Sequence, residues 1–278
     1  MIGMTDYPAQ IPLPAWPGGA DVAVTLSFDV DAEAGMLREG EPSARQLSTL
    51  SEARYGIVRG LPRIRALLQR EQIPATFYVP GDTAERHTGA LTGLLPDGHE
   101  IAHHGHLHLR SDGLTAGAQR RELEQGLAAL RDRLGAPVTG YRSPSWELTP
   151  ETLALLGELG FGYDSSCMGD DRPYYEVHGE HRILELPVHW SLDDWPHFAW
   201  HPGGNEVLAA PSAVVEVWLA EFESALAEHR HITFTMHPEV IGRGHRLAAL
   251  AALITAMRER ATIWFARHDE VAEILNHA

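Results

Sequence analysis

Residues 20–31, ADVAVTLSFDVD, form an apolar run that ends in two carboxylates. Valine, leucine and phenylalanine crowd Ala20 to Phe28 with little regular alternation, which suits a strand buried on both faces, as in a parallel sheet. The strand runs into a carboxylate-bearing turn, Asp29-Val30-Asp31. Beyond it, apolar residues at helical spacing predict a helix over 52–69, and Ile73 to Pro80 reads as a second strand closed off by Pro80-Gly81. A short third strand over 98–102, an amphipathic helix over 115–134 and a strand over 137–141 follow. The helix over 149–159 carries its own punctuation, with Thr149 as N-cap, Pro150 at the first helical position and Gly160 past the end. Strands over 161–163, 183–188, 232–236 and 262–265 alternate with helices over 212–228, from Gly244 onward and over 269–275.

Such alternation predicts parallel strands joined by helical crossovers, either closed as a (β/α) barrel or open as a doubly wound sheet. Neither G-x-G-x-x-G after the first strand nor G-x-x-x-x-G-K-[ST] occurs, so the nucleotide-binding form of the open sheet loses support. Two irregular stretches break the pattern, residues 33–51 and the aromatic-rich part of 164–210. Loops of that length are usually functional. The second carries Tyr174, Tyr175, Trp190, Trp195, Phe198 and Trp200, which could equally wall a pocket or cover an oligomer contact.

At 278 residues, with 44% apolar side chains, the chain can build a sizeable core. Thirty-eight acidic against 22 basic residues give a formal charge of −16. That charge repels phosphate backbones and anionic lipid, and argues against nucleic acid or a membrane as partner. Prolines at 8, 12, 14 and 17 exclude a signal helix, and Leu247 to Met257, flanked by Arg246 and Arg258, is too short to cross a bilayer. The cytoplasm is the expected compartment, and the lone Cys167 agrees with it.

Polar residues gather where the predicted strands end, the rim on which parallel βα architectures place ligands and catalytic groups. Asp29 and Asp31 point to one side of an extended chain; the alternative is a solvated turn or a helix cap. The run His103-His104-Gly105-His106-Leu107-His108 puts His104 and His108 on one face if helical, and His104, His106 and His108 on one face if extended. In a chain with 17 histidines it could also be a surface cluster. Two neutral imidazoles with one carboxylate are a usual ligand set for a catalytic divalent ion. Arg142 and His237 close two further strands, where pairing with a surface acid and capping of a strand are the alternatives.

The order Asp-x-Asp, His-x-x-x-His, Arg-x-Pro and a late strand ending in His resembles the polysaccharide deacetylase superfamily, carbohydrate esterase family four. The resemblance runs from about Val22 to Phe265. It is closest to a cytoplasmic branch labelled peptidoglycan-deacetylase-like, which is similar to cyclic imidases. The blocks that carry it are Phe-Asp-Val-Asp-Ala-Glu, Ala-His-His-Gly-His-Leu-His, Gly-Tyr-Arg-Ser-Pro-Ser-Trp-Glu, Leu-Pro-Val-His-Trp-Ser-Leu-Asp-Asp-Trp-Pro and Met-His-Pro-Glu. It implies an α/β fold, a distorted (β/α)7-type barrel, with residues 1–278 forming one catalytic domain behind an N-terminal arm, 1–20. It further implies that Asp31, His104 and His108 bind one divalent metal, zinc first and manganese, cobalt or nickel as alternatives. Asp29 would be the general base, Arg142 would orient it and keep it anionic, and His237 would be the general acid. Either Asp193 or Asp194 could tune His237, and Trp146, His189, Trp190 and Trp195 are candidate pocket-lining residues.

Three departures from the family pattern bear on the substrate. Val30 separates the first two acids, Gly105 stands where a small hydroxyl residue usually follows the first metal histidine, and Trp146 stands where a small residue is expected. An indole there would fill a groove that a sugar chain should occupy. The resulting expectation is a metal-dependent hydrolase of carbon–nitrogen amide bonds other than peptide bonds, acting on a small cyclic imide or amide. The alternatives are N-deacetylation of an N-acetylated sugar or peptidoglycan fragment, and a non-catalytic, metal-containing binding protein. A homo-oligomer, dimer or tetramer, is expected from the branch.

Overall fold

A computed structural model of the chain describes residues 11–37, 45–200 and 207–277. The first ten residues of the N-terminal arm and parts of both irregular stretches lie outside the described residues.

The first strand, β1 (Val22–Asp29), is buried along its whole length. It does alternate, but within a buried setting. Val22, Val24, Leu26 and Phe28 pack into the main apolar core, while the intervening Ala23, Thr25, Ser27 and Asp29 are small or polar. Each of the larger apolar side chains contributes about 1.5–3 kcal/mol by leaving water. The polar ones are kept by specific partners, as when Thr25 Oγ1 meets His231 Nε2 at 2.9 Å and Ser27 Oγ accepts from Arg142 at 3.0 Å.

Eight further strands follow: β2 (Thr76–Val79), β3 (Glu100–His103), β4 (Gly140–Tyr141), β5 (Tyr163–Asp164), β6 (Tyr174–His178), β7 (His181–Glu185), β8 (His231–Met236) and β9 (Ile263–Phe265). The sheet runs β6-β7-β5-β4-β3-β2-β1-β8. From β7 to β8 all neighbours are parallel, and β6 joins β7 as an antiparallel hairpin that the sequence reading did not anticipate. Strand β9 shares an edge of β1 with β2, pairing Val22–Val24 where β2 pairs only Ser27–Asp29. Past β7 the chain crosses the open side, and a parallel bridge between Asp193 and Thr235 ties it to β8. The sheet therefore curls toward closure, as the expected distorted barrel requires.

The interior is polar for much of its height. Tyr78 meets His268 Nδ1 through its hydroxyl at 2.7 Å, His268 Nε2 meets Thr233 Oγ1 at 3.0 Å, and Tyr163 and Thr76 both donate to Glu100. Burial pushes His231 down to about 3 and lowers His268 as well, so both rings are neutral. Below them Trp16, Tyr163, Val271, Ala272 and Leu275 form an apolar floor. No helix among the described residues is long and apolar enough to cross a membrane.

The helix over Pro150–Leu159 has the expected ends: Thr149 accepts from the Thr152 N–H, and Gly160 takes φ 78°. The helix expected over 52–69 is instead two α-helical segments, Leu47–Tyr55 and Leu61–Glu71, joined by a π turn at Gly56–Gly60. The turn lies against the short helix Pro238–Ile241 that follows β8. A Cβ on Gly60 would overlap the Pro238 carbonyl, and one on Gly56 would come within 2.7 Å of Glu239 Oε2. Gly60→Ala is expected to lower the urea unfolding free energy by about 1–3 kcal/mol. Gly89→Ala, where an added Cβ meets nothing within 4 Å, is the control expected to show no loss.

Candidate active site

Residues at the C-terminal ends of β1, β3, β4, β5 and β8, and in the crossing segment after β7, converge on one buried rim. Asp29 is the last residue of β1 and Arg142 lies one residue beyond β4. Their side chains meet at 2.7 Å, Arg142 Nη1 to Asp29 Oδ1, with the guanidinium fully buried. Nε donates to the Ser165 carbonyl at 2.8 Å, Nη2 to Ser165 Oγ at 2.9 Å, and the guanidinium sits 4.0 Å over the Tyr78 ring. Burial opposes the charge on Arg142, but Asp29 more than restores it, so the group stays cationic.

Asp31, His104 and His108 present three ligand atoms within 4.8 Å of one another. His104 Nε2 lies 3.4 Å from Asp31 Oδ1 and His108 Nε2 3.2 Å from Asp31 Oδ2. His104 Nδ1 is 2.8 Å from the Arg142 carbonyl, which can only accept, so the ring proton is on Nδ1. Burial lowers His104 to about 4, leaving a neutral ring whose Nε2 lone pair faces carboxylate oxygens. Asp31 Oδ1 is buried with no hydrogen-bond donor. The His104 Nε2 lone pair facing an Asp31 oxygen that has no donor, with the His108 ring beside them, makes a donor set suited to a cation. Ligands held at about 2.0–2.1 Å around a tetrahedral ion stand about 3.3 Å apart, so the spacing suits a divalent metal with open positions.

His237 follows β8. Its Nδ1 lies 2.8 Å from Asp194 Oδ1 and 3.5 Å from Asp193 Oδ1. Asp194 also accepts the His237 backbone N–H, whereas Asp193 caps the next helix by accepting from Trp195 N–H. Of the two acids Asp194 is therefore the direct partner of the ring. Burial alone would lower His237, but Asp193, Asp194 and Asp29 raise it well above the ordinary imidazole value. Burial in turn pushes Asp193 up to about 7 and raises Asp194.

Trp146 and Trp190 stack at 4.2 Å, and the Arg142 guanidinium lies 5.9 Å from the Trp146 ring. Trp195 meets His237 edge-on at 5.1 Å. His189 stands apart, exposed and with Nδ1 turned onto Ser191. His103 points away from the ligand group, its Nε2–H donating to the Leu123 carbonyl and its Nδ1 accepting the Gly105 N–H. Ser165 escaped the sequence reading, although it closes a strand just as Arg142 does. Glu239, which burial raises to about 8 and whose Oε2 has no partner, escaped it too.

In Asp194→Asn the His237 imidazole, followed by NMR, is expected to titrate at least about one unit lower than in wild type, because a carboxylate that favours the cation is gone. No downward movement would remove Asp194 as the charge partner.

The polysaccharide deacetylase family model matches residues 55–163. A solved polysaccharide-deacetylase-family structure from Mycobacterium smegmatis is 37% identical, with 97% of this chain and 94% of that chain covered and a TM-score of 0.91. The peptidoglycan deacetylase of Helicobacter pylori is 26% identical over 91% of this chain and 96% of its own length. The structure of Puue allantoinase, 24% identical with 97% of both chains covered, shares the fold at a TM-score of 0.82.

Proposed function

We propose that this chain, which belongs to the polysaccharide deacetylase family, is a metal-dependent hydrolase that opens a carbon–nitrogen amide bond in a small molecule, with a cyclic imide or amide as first substrate class. Membership makes it a deacetylase-type amide hydrolase. One observation supports the metal-assisted hydrolytic chemistry: a candidate ligand group, an arginine-bound carboxylate and a carboxylate-bound imidazole share one buried rim.

A divalent ion held by Asp31, His104 and His108, with zinc as first choice, would supply Lewis acidity to a water and to the substrate carbonyl. Asp29 has committed Oδ1 to Arg142, so Oδ2, 3.8 Å from His104 Nε2, is the atom that accepts the proton of the attacking water. Arg142 holds that carboxylate in one orientation. His237 has committed Nδ1 to Asp194, which leaves Nε2 to protonate the departing nitrogen. An amide nitrogen leaves poorly as an anion, so a raised imidazolium suits this end of the reaction.

The stacked indoles of Trp146 and Trp190 beside Arg142 support a short substrate over a polymer. A second reading, N-deacetylation of an N-acetylated sugar or peptidoglycan fragment, is favoured by the Helicobacter pylori relative. Exposed Trp200, Val207 and Leu208 offer apolar surface for the homo-oligomer that belongs to the same proposal.

Zinc-loaded protein is expected to turn over succinimide, hydantoin or dihydrouracil. Asp29→Asn should keep its metal and lower kcat about 10²–10⁴-fold. Full activity in Asp29→Asn overturns the base assignment, and turnover of N-acetylated sugar oligomers alone moves the substrate to the second reading. Trp146→Ser is expected to shift the kcat/KM ratio about tenfold toward sugar oligomers. An unmoved ratio would show that the indole does not select for size.

A further inference from the structure

The two histidines of the candidate ligand group stand at either end of the loop His104–His108, and the three N–H groups between them are all bonded to side chains. Gly105 N–H donates to His103 Nδ1 at 3.1 Å. His106 N–H and Leu107 N–H both donate to one atom, Glu122 Oε2, at 2.9 Å each. A carboxylate oxygen gathering two successive amides fixes the path of the backbone there, as an anion does in a nest. The loop needs such a hold because it turns through left-handed conformations, Gly105 at φ 73° and His108, a ligand candidate, at φ 58°.

Apart from His103, the groups named as holding the loop from this side are on the helix Ala116–Leu134. Glu122 lies on it, Leu123 supplies the carbonyl that anchors His103, and Gly126 gives the room. A Cβ on Gly126 would overlap His103 Nε2 and lie 2.7 Å from the Gly105 carbonyl. From the other side the Gly81 and Asp82 N–H groups donate to the carbonyls of Gly105 and His106, each at 3.0 Å.

We infer that Glu122 is a positioning residue for divalent-metal binding: by clamping the His106 and Leu107 amides it sets the turn that brings His108 Nε2 to Asp31 Oδ2. The inference rests on the reading of Asp31, His104 and His108 as metal ligands. Glu122 is not one of the proposed ligands; its Oε2 is taken up by the two loop amides. Its effect is felt through the orientation of His108, as groups behind a ligand generally act on metal affinity.

Chelator competition with Zn²⁺ on the full chain tests it, in wild type, Glu122→Ala, Glu122→Asp, Glu122→Gln and His104→Ala. Wild type is expected to bind one equivalent and His104→Ala none. Glu122→Ala is expected to bind about 10–100-fold more weakly, with kcat restored at saturating zinc. Glu122→Gln keeps an oxygen in place and should recover most of the affinity, whereas Glu122→Asp, one methylene short, should not. Wild-type affinity in Glu122→Ala overturns the inference; if that variant does not fold, wild-type affinity in Glu122→Asp does so. Zinc binding by His104→Ala at wild-type strength, or none by wild type, overturns the ligand set and the inference with it.

Discussion

A guanidinium sealed from water must find acceptors for the N–H groups it carries, and Arg142 finds four, on β1 and in the segment after β5. Its own carbonyl meanwhile fixes the tautomer of His104. One residue thus connects the ends of β1, β3, β4 and β5, and the barrel top cannot shift at one strand without disturbing the others. Removing one partner of a buried pair such as Arg142–Asp29 costs about 3–5 kcal/mol, because the remaining charge is stranded. A pair so expensive to break holds Asp29 in the orientation that proton transfer would need.

Backbone strain collects around the same rim. Ala32, His108, Ser145 and Trp146 all have φ near 50–58° without being glycine. Conformations of this kind cost about 1–3 kcal/mol each and persist only where the surroundings over-determine them. Ala32 follows a ligand candidate, His108 is one, and Ser145 and Trp146 deliver the indole that stacks on Trp190. The regular helices and the Arg142 network supply the stability against which these bends are held.

Much of the fold was legible in the sequence because local rules and tertiary demands agreed. The helix at Pro150 is capped by its own neighbours, and the strand ends announced Asp29, Arg142 and His237 through a polar residue after an apolar run. The reading failed where position depends on distant contacts. Strand β6 holds Glu176 and His178 at an edge, with no apolar pattern to mark it. The helix Gly81–Leu91 hid behind Pro80-Gly81, read as a stop although proline followed by a helix start is equally good grammar. The π turn exists because Gly56 and Gly60 meet the backbone near Glu239, some 180 residues away in sequence. Glu122 looks like any surface acid until the loop it holds is in view.

The polar filling of the barrel also decides how the protein meets acid. Burial lowers His99 and His104 to about 4, His103 and His231 to about 3, and His268 as well, against an ordinary value of 6.5. The stability tied to these neutral rings is fully present above pH 6.5. Below it the unfolded chain takes up protons that the folded one refuses, and that stability drains away as pH falls toward the folded values. Raised carboxyls such as Glu100, pushed up to about 7 by burial, work in the opposite sense: their unfolded forms ionise first as pH rises from 4.5, so they favour the folded state on the acid side. Proton uptake by these buried rings on unfolding would then weaken the fold progressively as the pH falls below 6.5.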